Sequence, residues 1–404
     1  MNILIINHYA GSPEMGMEFR PYYLAREWAK LGIEVTVIAA SYSHLRSKNP
    51  ECEDISVQMI DGIRYVFLKT PPYLGNGLGR VRNIFAYVRK LRHRADGFAR
   101  QYCPDAVISS STYLLDWRPA VKIARLSGAK TCFEIHDIWP LTLQVMGGLS
   151  EKNPAMRFLQ KREDEILRQA DSIVSILPFA DIHIKERGVT DFNYHHIPNG
   201  IDPEEIPAEP LPEKHMSVLS ELKAQGKFIL LYAGGHAVSN ALEPFIDAEG
   251  ELDDRFAVVL TGGGAQKEQL MKRAGESGNP RIVFLDSVAK NQVPALLDTA
   301  DALFLGAKKS PLYRFGVGMN KLFDYMLAAK PIINAVEAPG NPVSLAGCGI
   351  CVPAEDPAAI AAAARELASM DESSRRKMGE LGREYVLEHH NYETLAKRFL
   401  EALE

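Results

Sequence analysis

The sequence predicts an α/β protein built from two Rossmann-like, doubly wound domains that face a cleft. Three observations lead there. Short apolar runs alternate with helix-period segments along almost the whole chain. Most of the short runs are apolar throughout, as strands of a buried parallel sheet are. The alternation breaks once, at Pro203–Pro212, where four prolines fall among glutamates, and then restarts. A length of 404 residues with 46% hydrophobic content suits two domains, expected over 1–200 and 201–384.

In the first half, Asn2–Asn7 reads as a strand, His8–Met17 as a loop holding Gly11, Pro13 and Gly16, and about Glu18–Leu31 as a helix ended by Gly32. Val35–Ala39 follows as the next strand, completing a βαβ unit whose loop lies at a strand's carboxyl end, where such sheets bind ligands. Gly16 would admit a ligand close to the backbone, and Arg20 could meet a phosphate or carboxylate. The spacing is not that of a dinucleotide fingerprint. Val57–Leu68 reads as a strand pair turned at Asp61-Gly62.

The segment Arg80–Tyr102 places Val81, Ile84, Phe85, Val88, Leu91 and Phe98 at helical spacing among seven cations and one Asp96. A basic amphipathic helix of this kind fits an anionic membrane surface; it also fits an ordinary helix with a solvated basic face. Lys130–Ile135 is a strand that delivers His136 and Asp137 to its carboxyl end. A histidine and an aspartate there can exchange protons or hydrogen bonds with a bound sugar, or merely satisfy a loop.

In the second half, the strand Lys227–Tyr232 runs into Gly234-Gly235, and Phe256–Thr261 into Gly262-Gly263-Gly264. Further strands are read at Arg281–Leu285, Ala302–Leu305 and Pro331–Ala335. Between the last two lies SPLYRFGVGMNKLFDYMLAAKP, residues 310–331. Its turn Gly316-Val317-Gly318 feeds a helix of about three turns with an apolar stripe of Leu322, Phe323, Met326 and Leu327. A glycine turn entering a helix offers free N–H groups and the positive end of a macrodipole, an anion site. Asn320 and Lys321 fall in the first turn, and Asp324 would reach a neighbouring sugar hydroxyl. A loop followed by a core helix is the plainer reading of the same residues.

Composition narrows the classes. A net charge of -5 gives no global argument for nucleic acid as a partner. No apolar run reaches the ~18 residues of a membrane span, and MNILIINHYAG reads as a strand, not a signal peptide. Five cysteines, 52, 103, 132, 348 and 351, fit a reducing cytoplasm better than a disulfide framework. The Cys348/Cys351 pair lacks further ligands at metal-binding spacing.

Taken in order, FEIHDIWP (133–140), ADSIV (170–174), IPNGID (197–202), LYAGG (231–235), LTGGG (260–264), VFLDSV (283–288), TADALFL (299–305) and GVGMNKLFDYMLAAKPII (316–333) resemble a family-four retaining glycosyltransferase of the GT-B fold. The resemblance covers nearly the whole chain. It is nearest to the subgroup of O-antigen and surface-polysaccharide transferases that handle N-acetylhexosamine-type sugars. It implies transfer of a sugar, with retention, from a nucleotide diphosphate donor, expected to be a UDP-N-acetylhexosamine or deoxy-aminosugar. No metal or other cofactor is implied. The implied acceptor is a glycan or lipid-linked glycan, with a polyprenyl-diphosphate-linked one expected, at the inner face of the cell membrane, with Arg80–Tyr102 on that surface. The implied location is cytoplasmic or peripheral.

Position by position, the resemblance gives Asp324 the ribose, Asn320 and Lys321 the phosphates, Ser287 and Val288 the base, His136 the transferred sugar, and Gly16 a loop closing over the donor. His136, Asp137 and Lys321 are the expected catalytic residues. The donor site is expected to include Gly16, Arg20, Gly234, Gly235, Gly316, Val317 and Gly318 as well. The family's first motif glutamate falls at Gly316, so backbone amides of Val317 and Gly318 would take its place. The basic pair that relatives carry after the first strand of the second domain has no match in GGHAVSNAL, and Lys308, Lys309 or Arg314 is expected to supply that charge. The resemblance also implies that the helix at about 385–404 crosses back onto the first domain. Two other readings of this fold are a UDP-sugar 2-epimerase and a non-catalytic, membrane-associated scaffold.

Overall fold

The computed structural model describes residues 1–16, 19–75, 77–203, 209–276 and 281–404. The start of the first helix at Glu18, the end of the loop at Met17 and the centre of the proline-rich linker lie outside the described residues. Two compact units emerge, Met1–Asn199 with Tyr392–Glu404, and Gly200–Asn391.

The first unit holds eight strands: β1 (Asn2–Ile6), β2 (Glu34–Ala40), β3 (Ile55–Ile60), β4 (Ile63–Leu68), β5 (Ala106–Ser109), β6 (Lys130–Ile135), β7 (Ser172–Ser175) and β8 (Tyr194–His196). They lie in the order β3-β4-β2-β1-β5-β6-β7-β8, parallel except for the β3–β4 hairpin. Asp61 and Gly62 both take positive φ at that turn, as expected. Strand alternation splits the core into two layers: Ile3 and Ile5 face one helix layer, Leu4 and Ile6 the other. The helix Arg20–Lys30 buries Tyr23 and Trp28 in the first layer. There the helix Tyr392–Glu401 completes it: Trp28 Nε1 donates to the Ala396 carbonyl at 2.9 Å, and Tyr23 stacks on Tyr392 at 4.8 Å.

The second unit holds β9 (Phe228–Ala233), β10 (Phe256–Thr261), β11 (Ile282–Leu285), β12 (Ala302–Gly306), β13 (Ile332–Ala335) and β14 (Gly349–Cys351). Their order is β11-β10-β9-β12-β13-β14, all parallel. Strand order therefore reverses between β1 and β5 in one sheet and between β9 and β12 in the other. The carboxyl ends at these switch points are where open α/β sheets leave a crevice.

Several elements differ from the sequence reading. The edge strands β8 and β14, three residues each, and the helix Glu213–Ala224 went unread. The helix after the 316–318 turn spans Asn320–Leu327, eight residues and so about two turns rather than three. The basic helix runs Leu78–Tyr102, but its buried face is Asn83, Tyr87, Leu91, Ala95, Phe98 and Ala99. Val81 and Phe85 point outward. Polar side chains cause this rotation: the Asn83 amide donates to Thr70 Oγ1 and the Pro71 carbonyl, and Tyr87 OH to the Ile38 carbonyl. Buried polar groups with partners can displace apolar ones from a core face. All five cysteines are free, and the 348/351 pair splits between a buried and an exposed thiol.

Backbone contact fixes the Asn320–Leu327 helix in place. The helix Glu372–His389 crosses it at Gly379 and Gly382. A Cβ at Gly379 would lie 1.9 Å from the Ala329 carbonyl oxygen, which cannot yield as a side chain can. Gly379→Ala should cost about 1–3 kcal/mol of stability, read as a lower thermal midpoint by calorimetry.

Candidate active site

In the second unit the site begins at the carboxyl end of β9. Lys321, second residue of the Asn320–Leu327 helix, sends its Nζ to Tyr232 OH at 2.9 Å and Asn240 Oδ1 at 2.8 Å, with the ammonium 4.9 Å from the Tyr232 ring centroid. Tyr325, one turn further and on the same face, pins the helix to the same strand end. Its hydroxyl receives the Ala233 N–H at 2.8 Å and donates to the Ala233 carbonyl at 3.0 Å. Tyr232 OH and Asn240 Nδ2 both donate to the Gly235 carbonyl, each at 2.8 Å.

No carboxylate pairs with Lys321 among the described residues. Burial alone drives its ammonium down to about 8 from an ordinary 10.5. The N-cap residue Met319 makes no side-chain cap to its helix, and the first turn carries no acid. The local field is thus positive from two sources: an ammonium and the N-terminal end of the helix macrodipole.

Glycines extend this seat into a wall. Gly234, at φ 154°, would bring a Cβ to within 3.4 Å of Lys321 Nζ. Gly262 follows β10 so closely that a Cβ would fall 1.9 Å from the Gly234 carbonyl oxygen. Beyond it, the His236 N–H donates to the Gly263 carbonyl at 2.7 Å, and Gly263 abuts Ser287 at the end of β11. His236 is buried, and neither ring nitrogen has a hydrogen-bond partner among the described residues. Burial, Lys267 and Lys321 all lower its affinity for a proton. Ser287 is exposed, while Val288 packs on the core.

The remaining expected residues divide. Gly316, at φ 93°, is buried and ends the turn Pro311–Phe315; Val317 and Gly318 are half-buried, and Asn320 and Asp324 are exposed on the helix. Lys308 is tied to the loop before Asn240, its N–H donating to the Ser239 carbonyl at 3.1 Å. Lys309 is exposed, and its ammonium lies 3.5 Å from Glu337. Arg314 is exposed and lies over the Phe315 ring at 4.5 Å.

In the first unit a second polar cluster sits at the β1/β5 switch point and the end of β6. His136 Nε2 lies 3.0 Å from Ser110 Oγ and 3.2 Å from Glu134 Oε2. Ser110 also donates to Glu134 at 2.5 Å, and Asn7 Nδ2 donates to Ser110. Burial would raise the Glu134 carboxyl, but Arg20, His136 and Ser110 hold it well below the usual carboxylate range. Nε2 is thus engaged by both Ser110 and Glu134, which orients the ring.

Arg20, expected in the donor site, is engaged within the first unit. It is buried, its Nε bonds Glu134 at 2.9 Å, and its other nitrogens donate to the Ile197 and Pro198 carbonyls. Asp137, the other expected catalytic residue of this loop, is bonded within it. Its Oδ1 receives the Ile138 N–H at 2.8 Å and Thr142 Oγ1 at 2.6 Å, bracing the loop, and burial raises its carboxyl. Gly16, at φ 66°, faces Ser47, whose Oγ would lie 2.6 Å from an added Cβ.

Sequence reading missed Tyr232, Asn240, Tyr325, Glu134 and Ser110. Two signals were available: Tyr325 lies four residues after Lys321, and Glu134 interrupts an otherwise apolar strand end.

Residues 15–200 match the model of a glycosyl transferase 4-like domain, and residues 227–370 match glycosyl transferases group 1. A probable glycosyltransferase, WbjE of Pseudomonas aeruginosa, is 25% identical over 309 residues, 74% of each chain. The sucrose-phosphate synthase of Thermosynechococcus elongatus superposes with a TM-score of 0.72 at 16% identity, covering 99% of this chain and 97% of its own. HepE of Anabaena, in complex with UDP-glucose, gives 0.67 at 15% identity, covering 100% and 99%. The chain is a glycosyltransferase of the GT-B fold, a glycosyl transferase 4-like domain followed by a glycosyl transferases group 1 domain.

Proposed function

We propose that the chain transfers a sugar from a UDP-sugar to a glycan or lipid-linked glycan acceptor, with retention and without a metal. The observation that carries this reading is Lys321: a largely desolvated cation with no acidic partner among the described residues, beside a helix start that its N-cap side chain leaves uncapped and a glycine wall. Such a seat suits a diphosphate. HepE, a structural neighbour, binds UDP-glucose, which favours uridine as the base and the 287–288 loop as its place. Asp324, exposed one turn after Lys321, takes the ribose.

In the reaction the bond from the anomeric carbon to the β-phosphate oxygen breaks first. The acceptor oxygen bonds to that carbon on the same face, its proton passes to the departing phosphate oxygen, and UDP leaves. Lys321 and the helix amides hold the charge that develops on the diphosphate. His136, oriented by Glu134 and Ser110, hydrogen-bonds a sugar hydroxyl through Nδ1. Production of sugar transfer only in the presence of acceptor separates this reading from a 2-epimerase.

A thermal-shift screen of UDP, GDP, UDP-glucose and UDP-N-acetylglucosamine without metal tests the donor assignment. UDP and one UDP-sugar should raise the thermal midpoint; a response to GDP alone overturns the base. Lys321→Met should have opposite effects on two readouts. The free protein should gain roughly 1–2 kcal/mol, since an uncompensated buried charge is gone. UDP affinity should fall about a hundredfold, the worth of one charge-assisted contact.

A pH titration checks the same group. The unfolded chain holds this proton more tightly than the folded one, so the cost of burying Lys321 is full below pH about 8 and fades as pH rises toward 10.5. Diphosphate binding restores the proton. UDP affinity should therefore be flat just below pH 8 and fall by about tenfold per unit above it in the wild type, but not in Lys321→Met. For His136→Ala, turnover should drop about 100-fold with UDP affinity unchanged; equal turnover removes the histidine from the reaction.

A further inference from the structure

The helix Leu78–Tyr102 carries two populations of cations. Lys90 and Arg94 converge on Asp54, and Arg80 bonds Tyr9 OH and lies over its ring at 5.3 Å. Arg82, Arg89 and Arg92 are exposed and make no ion pair among the described residues. They share a helix face with Leu78, Val81 and Phe85, at successive spacings of three and four. These side chains are 86%, 45% and 59% exposed, and Leu74 in the preceding loop is 94% exposed. Four large apolar side chains standing together in water are unusual on a protein surface. Along this face, Leu78 to Arg92 spans about 21 Å at the α-helical rise.

We infer that this outer face of the helix, with Leu74, docks on an anionic lipid bilayer. The leucines, Val81 and Phe85 enter the interface while Arg82, Arg89 and Arg92 lie on the headgroups. Charge selects the partner's sign: the chain is net -5, yet these three arginines are uncompensated. Shape selects a bilayer over an acidic protein. Leu74 and Leu78 project almost free of their own protein, which suits a fluid phase that closes around them more than a preformed socket. The surface differs from the one its sequence suggests, because Leu91 and Phe98 are core and unable to reach lipid. This inference rests on the glycosyltransferase reading only in that it would hold the enzyme where a lipid-linked acceptor resides.

Vesicle co-sedimentation at low salt tests it, with phosphatidylcholine alone and with added phosphatidylglycerol. Wild type should bind the anionic vesicles and release with salt. R82Q/R89Q/R92Q should lose about a hundredfold in affinity, at about one kcal/mol per cation near the surface. L78S/F85S should lose about tenfold or more. Thermal midpoint and UDP response, measured on the same samples, should match wild type in both variants. Failure of the wild type to bind anionic vesicles, or equal binding by both variants, overturns the docking surface. Capture of an acidic protein without vesicle binding overturns it equally. A lost UDP response with vesicle binding intact would instead sink the donor reading and leave this one standing.

Discussion

An ammonium group held out of water by neutral oxygens alone is the constraint around which the second unit is built. Lys321 gives its protons to a phenol and an amide, and no carboxylate answers its charge among the described residues. Dipoles stabilise such a charge less than a counter-ion does, so the site is left with unspent attraction for an anion. Every neighbouring feature keeps that arrangement from relaxing. Tyr325 locks the helix to β9, Asn240 and Tyr232 share the Gly235 carbonyl, and close-packed glycines keep side chains from filling the space in front.

The first unit solves the opposite problem. Arg20 and Glu134 are both buried and satisfy one another, with leftover donors and acceptors bonded to carbonyls, Ser110 and His136. A compensated pair of this kind adds little net stability, but loss of either partner is costly. Its use here is orientation: a fixed carboxylate holds the Nε2 edge of His136 in place. One unit thus holds charge in reserve, and the other uses balanced charge to aim an imidazole ring.

The fold was legible because its signals are long-lived along the chain. Apolar strands, glycine ends and helix periods recur often enough that a boundary error of one or two residues changes nothing. Strands β8 and β14 were not legible, since three residues carry no period. The buried face of the basic helix was misread for a definite reason: Asn83 and Tyr87 look like surface residues until their backbone partners are known. In the site, the turn and Lys321 could be read from local grammar. Arg20 could not, because a cation at a helix start looks the same whether its anion is a ligand or Glu134. Lys309 likewise looked available until Glu337 was placed beside it. Local pattern names donors; only the fold says whether their acceptors are already present.

The helix Tyr392–Glu401 seals the layer that contains Trp28 and Tyr23, although the whole second unit separates it from them in sequence. On the ribosome the first unit is made first and finished last. Until those closing residues leave the exit tunnel, the indole and phenol surfaces they cover stay open to solvent while the second unit folds. The order of synthesis and the order of completion are inverted in this molecule, and the interval between them is when its first sheet is most in need of protection.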